Sequence, residues 1–558
     1  MKKNDNIFAG LPPVAVEYIR LVIKKMGYRR KVRQDVQAEL AAHFEDALAD
    51  CQNKSATENT EVTKKAEKII AEFGDAKIIG ILARRAKKRC RPLWKKILIR
   101  SLQAVAIIVL YLGICFAHLN IGKPNISVNY VDWLNKLVSQ GNSESLNARP
   151  YFDKAVELWS PMFSEILQKS LHSWPGDMNE AQRQAVTKVL DENAKAIELL
   201  KEGVEKPYCW ATYSSDVNES VKETLLQQTG GKMPGYEITA GIMDNVMKSL
   251  PGYRRVAYTL AMQAPWKAYN GDAAGALNDC LVLQKFGSHL QGKGLLIEQL
   301  VGIAIDALGL SKALMILEKV DVPADVLKNF QEEIEREDHR QAKVINLEAE
   351  KAFLYDYIQR SFTDDGKGNG HVLAKGLPLA IGDWKSSLWK FISFSYPDKR
   401  EVAATIDEFF ERGNQLFEET PRELHKAEQI DMWDNLGKRN FLLKMQGPAH
   451  RRVGEISWRL RTHRKSLIAV LAVLRYKKIK GEYPVSLDEL VVEKYLKELP
   501  IDPFSDKPLV YRKTEGNFIL YGVGKNFVDD GGQVFRDDKG KVRQYADEGD
   551  WVFWPVIK

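Results

Sequence analysis

Ala83–Leu119 reads ARRAKKRCRPLWKKILIRSLQAVAIIVLYLGICFAHL, and its two halves divide the chain. In the first half Arg84, Arg85, Lys87, Lys88, Arg89, Arg91, Lys95, Lys96 and Arg100 stand with no acidic residue among them. In the second, Ile97 to Leu119 is apolar over the roughly 20 residues that a helix needs to cross a bilayer core. Arg100, Gln103 and His118 are its strongly polar members, and Arg100 and His118 lie near the ends, where they can snorkel. Cations gathered on one flank mark the cytoplasmic side. The stretch therefore predicts one transmembrane helix over 97–119, with residues 1–92 in the cytoplasm and the bulk of the chain on the periplasmic side of the inner membrane. A buried core helix would leave the basic flank unexplained, and the structured-looking region before it is unlike a cleaved signal peptide. Arg84, Arg85, Lys87, Lys88, Arg89, Arg91, Lys95 and Lys96 are expected to meet anionic lipid headgroups, at about 1 kcal/mol for each cation near the surface.

The charge balance agrees with this division. The chain has 558 residues and a net charge of +8, too long for one ordinary core. Residues 1–100 hold 23 Lys and Arg against 12 Asp and Glu, and the remainder holds 59 against 62. A slightly acidic body is not the footprint of nucleic-acid binding, and no recognition helix or aromatic interleaving accompanies the basic block. Cys51 and Cys90 fall inside, Cys115 in the span, and Cys209 and Cys280 outside, where an oxidising compartment permits a Cys209–Cys280 disulfide. Two buried free thiols are the alternative. No Cys/His spacing of the zinc type occurs.

Residues 11–90 read as a small helical domain. Val16, Ile19, Leu21, Val22 and Ile23 share a broad face that ends at Gly27, and Val32, Val36, Leu40, Phe44 and Leu48 form a stripe at spacings of four. Two further helices break at Gly74-Asp75. The segments VQAELAAHFEDAL and AEKIIAEFGDAKIIGILARR resemble the HAAS-type domain that precedes transmembrane segments in bacterial membrane proteins, which implies a cytoplasmic interaction module. His43, set among Glu39, Glu45 and Asp46, reads as part of a solvated acidic face rather than a metal ligand.

From 125 to 460 the pattern is helical. Asp177 and Glu180 read as a capping box opening a helix that runs to about Lys201. Ala257, Ala261, Ala264, Ala268 and Ala276 flank a turn at Gly271-Asp272, an arrangement that resembles a tetratricopeptide-type hairpin in which small side chains let helices approach. The irregular period makes the body repeat-like only. Leu295–Leu317 is apolar enough to span a membrane, but Glu298, Gln299, Asp306 and Lys312 would be costly there, so a buried helix is expected. Trp384, Leu388, Trp389, Phe391 and Ile392 could lie in a membrane interface or pack on the body, and packing is the plainer reading. No G-x-S-x-G, H-E-x-x-H, phosphate-binding loop or dinucleotide fingerprint occurs. The loop DDGKGNGHVLAKG fails as a calcium loop, because Lys367 and Gly376 occupy ligand positions, and it reads as a mobile surface loop.

Residues 461–558 open on a helix and continue through YPVSLDEL, with Ser486 as N-cap, to DPFSDKPLVY and a strand ending in GVG. This order resembles the C-terminal part of the major pseudopilin of type II secretion. PLVYRKT and NFILYGVG should pair as a hairpin about Glu515-Gly516, with VFRDDKGKVRQY and WVFWPV as further strands. The resemblance implies a calcium ion in the loop after the hairpin, where Asn526, Asp529 and Asp530 are the candidate ligands; a polar turn capped by Gly531-Gly532 is the alternative. No other cofactor and no catalytic residue is indicated.

The expected fold is mainly α: a cytoplasmic helical domain (1–92), a transmembrane helix (97–119), an extracytoplasmic helical body (125–460) and a small α+β pseudopilin-like head (461–558). The expected function is a non-catalytic interaction or scaffold protein of the bacterial cell envelope, with envelope proteins as partners. The alternatives are a transmembrane regulator coupling an envelope signal to the cytoplasmic domain, and a periplasmic enzyme using a site in the helical body. Oligomeric state is left open.

Overall fold

The computed structural model describes residues 5–49, 59–89, 93–160, 165–214, 237–340, 345–374, 397–427 and 441–556. Among them the chain is mainly helical, with five short strands near the C-terminus. It divides into two compact units, Met1–Ile114 and Cys115–Lys558.

In the first unit α1 (Pro13–Met26), α2 (Arg30–Leu48), α3 (Asn59–Phe73) and α4 (Ala76–Arg89) precede the long α5 (Leu93–Asn120), whose residues from Cys115 onward belong to the second unit. The expected stripes supply its core: Ile19 and Val22 from α1, and Phe44 and Leu48 from α2, are buried together. Leu21 is exposed instead, because it lies on the opposite side of α1. Tyr18 donates to the Gly74 carbonyl at 2.9 Å, which fixes the α3–α4 break against α1. His43 packs edge-on against Phe73 at 5.3 Å.

Among the described residues two helices are long and apolar enough to cross a membrane, and their surroundings differ. Ile97–Asn120 has a mean hydropathy of 2.2 and is 11% buried, whereas Leu296–Lys319 has 1.9 and is 67% buried. Glu298, Asp306 and Lys312 of the second are all buried.

The second unit continues with α6 (Tyr130–Ser139), α7 (Arg149–Leu158), α8 (Glu165–Ser170), α9 (Glu180–Glu192), α10 (Ala194–Val204), α11 (Glu237–Tyr269), α12 (Ala273–Leu290), α13 (Leu296–Lys319), α14 (Ala324–Arg340), α15 (Glu348–Ser361), α16 (Lys399–Glu418), α17 (Pro421–Lys426), α18 (Phe441–Lys480) and α19 (Leu487–Val492). The capping box before α9 uses Asn179 and Gln182, not Asp177 and Glu180: Asn179 accepts from Gln182 N and Gln182 returns the bond. Asn193 then splits the expected single helix into α9 and α10.

The five alanines of the α11–α12 hairpin are buried as expected. Helices α12 and α13 also approach closely, through glycines rather than alanines. A Cβ on Gly302 would sit 2.5 Å from the Gly287 carbonyl oxygen, and one on Gly287 would sit 2.5 Å from that of Gly302. Side chains on either residue would drive the helices apart.

In the head, β1 (Ile501–Asp502) pairs with β2 (Lys507–Pro508), and β3 (Val510–Thr514), β4 (Asn517–Gly522) and β5 (Trp551–Trp554) form an antiparallel sheet in that order. The β3–β4 hairpin and the WVFW strand match expectation. VFRDDKGKVRQY makes only isolated bridges, Val534 to Gly549 and Arg536 to Val542.

The expected boundary at 461 falls inside α18. Leu467 and Ala469–Val473 are fully buried in a core shared by α12, α13, α14 and the head. An apolar surface all round a helix demands partners on every side, so this stem lies inside the body. Arg475 donates to Gln331 Oε1 at 2.7 Å, Gln331 to the Tyr495 carbonyl at 2.8 Å, and Val556 N to Glu318 at 3.0 Å.

Candidate functional site

A cleft of about 770 Å³ opens on the helical body. The ends of α6 and α10, the loop 205–209, the end of α12 with Gly292 and Lys293, and the Glu333–Glu337 flank of α14 line it. Two asparagine pairings, one buried and one half-buried, hold the chain that continues from the loop forming one wall. Asn147 accepts from Trp210 N at 3.0 Å and donates to the Trp210 carbonyl at 3.1 Å. Asn135 does the same for Tyr213, at 2.7 and 2.9 Å. Each side-chain amide imitates a strand neighbour and, beside the single backbone bridge of Asn147 to Tyr208, satisfies backbone groups of the loop.

Cys209 lines the cleft, and a buried ionic network lies close to it. Arg149 meets Glu298 at 2.9 Å with both side chains about nine-tenths buried, and Asp153 at 3.3 Å. Tyr213 donates to Glu298 at 2.7 Å, Leu295 N donates to the same carboxylate at 3.1 Å, and Tyr253 donates to Asp153. The Arg149 guanidinium also lies 4.9 Å from the Tyr253 ring centre. Burial opposes its charge, but Tyr253, Glu298 and Asp153 hold it firmly protonated. Burial, then Glu298, push the Tyr213 hydroxyl well above its ordinary range.

The rim charges are largely committed. Lys285 pairs with Glu205 at 2.9 Å, and Arg336 pairs with Glu333. Lys206 donates to the Ser145 carbonyl at 3.2 Å, and His289 Nε2 lies 3.1 Å from the Val204 carbonyl. Burial pushes the Cys209 thiol up to about 12, with Arg149 opposing, so it is a neutral thiol at pH 7 and a poor nucleophile. The cleft thus presents a polar surface whose charges are largely paired.

The residues singled out from the sequence are scattered. Cys209 and Cys280 are separate free thiols rather than a disulfide; Cys209 packs beside the core of α6–α11 and Cys280 within the core shared with the head. Arg84, Arg85 and Lys88 are exposed on α4, but Lys87 pairs with Glu39 at 2.6 Å. Arg91 lies outside the described residues, and Arg89, Lys95 and Lys96 fall on α4 and α5. Trp384, Leu388, Trp389, Phe391 and Ile392 also lie outside them.

The loop after Thr363 is held by its own backbone rather than left loose, with Thr363 N bonded to the His371 carbonyl and Asp365 N to that of Asn369, each at 2.9 Å. In the head, Asn526 donates to Asp530 at 2.7 Å, while Asp529 accepts from Tyr521 and Gly531 N, each at 2.9 Å. These contacts join the three residues in one polar turn. Among the described residues no group of three or more His, Cys, Asp or Glu is placed to hold a metal.

The network residues Arg149, Glu298 and Asn147 were not singled out as a site by pattern alone. Glu298 did leave a signal, a carboxylate inside an apolar helix, but nothing local points to Arg149 in a helix far earlier in the chain. No protein-family model, curated protein or solved structure matches the chain.

Proposed function

We propose that the chain is a membrane-anchored, non-catalytic interaction protein of the bacterial cell envelope. Helix α5 is its single span, the first unit faces the cytoplasm, and the body presents its cleft to a partner outside. The observation that carries this reading is the rigid polar cleft, built on buried ion pairs and lined by charges of both signs already paired. Such a surface favours an extended polar segment of an envelope protein. The contrast in burial between the two apolar helices supports a single span. The helix, hairpin and third strand of the head are compatible with the pseudopilin resemblance.

The test is cross-linking and capture of the full chain from mildly solubilised membranes, beside Lys285→Glu and Ser288→Arg variants. A partner recovered with the native chain and lost with both variants, at unchanged melting temperature, supports the reading. A partner set insensitive to both variants refutes the cleft as its surface.

A second reading, transmembrane regulation, draws on the separate core of the first unit. Deleting residues 1–80 should abolish a regulatory phenotype and leave a scaffolding one intact.

A further inference from the structure

Helix α5 is longer than a bilayer core requires. About 20 residues at 1.5 Å each cover its 30 Å, so a span starting at Ile97 is complete near Phe116. Phe116 is 71% exposed, whereas Leu119, one turn on, is buried among Phe362, Val372, Val402 and Ile406 of the body. The last turn of the helix is thus part of the body, and the bilayer surface falls at that junction.

The chain beyond the helix is tied down there. His371 stacks on His118 with ring centres 4.0 Å apart, and its Nε2 lies 3.0 Å from the Ile121 carbonyl. Seven residues on, Gln359 of α15 donates to the Val128 carbonyl at 2.7 Å and accepts from its N–H at 3.3 Å. His371 at Ile121 and Gln359 at Val128 thus hold both ends of residues 121–128 on the body. Their side chains nonetheless point outward: Ile121 is 63% exposed, Ile126 52%, and Val128 is also exposed. Lys123, Lys367 and Arg400 are exposed on the same collar. The neighbouring acids are engaged, Asp364 with Lys399 at 2.6 Å, Asp365 with the N–H groups of Lys367 and Asn369, and Asp398 with Glu401 N at the start of α16.

We infer that Ile121, Ile126 and Val128, with Lys123, Lys367 and Arg400 around them, form a seat on which the body rests in the headgroup layer of the bilayer crossed by α5. The inference rests on the spanning reading of α5. Its argument is continuity: the headgroup layer is about 5–7 Å deep on each side, and the segment begins at the residue after the helix. Apolar side chains entering that layer with cations beside them match the make-up of an interfacial contact. The seat would fix the tilt of the body on the membrane, rather than leave it on a free tether.

The test places p-benzoylphenylalanine at position 126 of the full chain, reconstituted in vesicles of phosphatidylethanolamine and phosphatidylglycerol. Position 108 in mid-span and position 485 on the exposed head are the controls. Lipid adducts at 108 and 126 and none above background at 485 are expected. Adducts at 108 without any at 126 would overturn the seat and leave the span standing. Adducts at neither would overturn the span as well. Protein–protein adducts at 126 in place of lipid adducts would assign the face to a second copy or another protein, and so overturn the seat.

Discussion

Replacing Arg464 with methionine tests whether the head is a domain of its own. Arg464 of α18 and Asp306 of α13 are both almost completely buried, and they meet at 2.5 Å. Gln291 gives Asp306 one further donor at 3.1 Å, and Asp338 stands 3.8 Å from Arg464. Removing one member of a buried pair typically costs about 3–5 kcal/mol, because the other charge stays buried without compensation. Asp306→Leu with Arg464→Met removes both charges and should cost far less, being neutral or stabilising by about 1–4 kcal/mol where the apolar pair packs well. Amide exchange followed by mass spectrometry on the full chain in detergent resolves the relevant peptides. At 1.36 kcal/mol per tenfold, the single substitution should raise exchange through global opening by about a hundredfold or more. The increase should appear equally in peptides over Leu296–Lys319 and over the β3–β4 hairpin, since both belong to one cooperative core. Faster exchange in α13 with an unchanged hairpin would refute the shared core and restore a boundary near 461. A double substitution as damaging as the single one would refute the charge argument.

Burial first, then Arg459 and Arg464, lower the pKa of His463 from 6.5 to about 3. The folded chain then refuses a proton that the unfolded chain accepts below 6.5, so this contribution is complete above 6.5 and lost as pH falls towards 3. At about 1.36 kcal/mol per pH unit the loss reaches roughly 2 kcal/mol by pH 5; His463→Phe should flatten that part of the slope in melts at pH 7 and pH 5, and an unchanged slope would count against it. Gly302→Ala should destabilise by about 1–3 kcal/mol through overpacking against Gly287, read as a lowered melting midpoint; a neutral result would mean that α12 and α13 do not approach so closely. Cys209, half-buried at the cleft, should react with thiol reagents at pH 7 more slowly in the native chain than in the unfolded one, since its thiol is pushed up to about 12; equal rates in the two states would contradict the raised pKa. Calcium should leave the melting midpoint unmoved because donors already occupy the Asn526, Asp529 and Asp530 turn, and a rise abolished by Asp530→Asn would reveal a site.

The parts legible from sequence are those set by local physics. The basic block beside an apolar run, the stripes of α1 and α2, the turn at Gly271-Asp272 and the β3–β4 hairpin each depend on residues within a few positions of one another. The misreadings also have local causes. Asp177 and Glu180 satisfy the capping spacing as well as Asn179 and Gln182 do, and only the path of the chain through Pro175–Asp177, a 3-10 turn, selects the later pair. The packing of Leu467–Val473 in a core shared by α12, α13, α14 and the head depends on partners that no local pattern identifies. The cleft was not legible, because the network beside it depends on Arg149 and Glu298, 149 positions apart, and the attachment of the head was not, because it depends on Arg464 and Asp306, 158 apart. What the sequence does carry is one half of each pair, an acid stranded in the apolar helix α13. Those acids first served as an argument against a second membrane span. Once α13 is packed, they are also the points at which α7 and α18 are locked to it, so one helix fixes both the wall of the cleft and the attachment of the head.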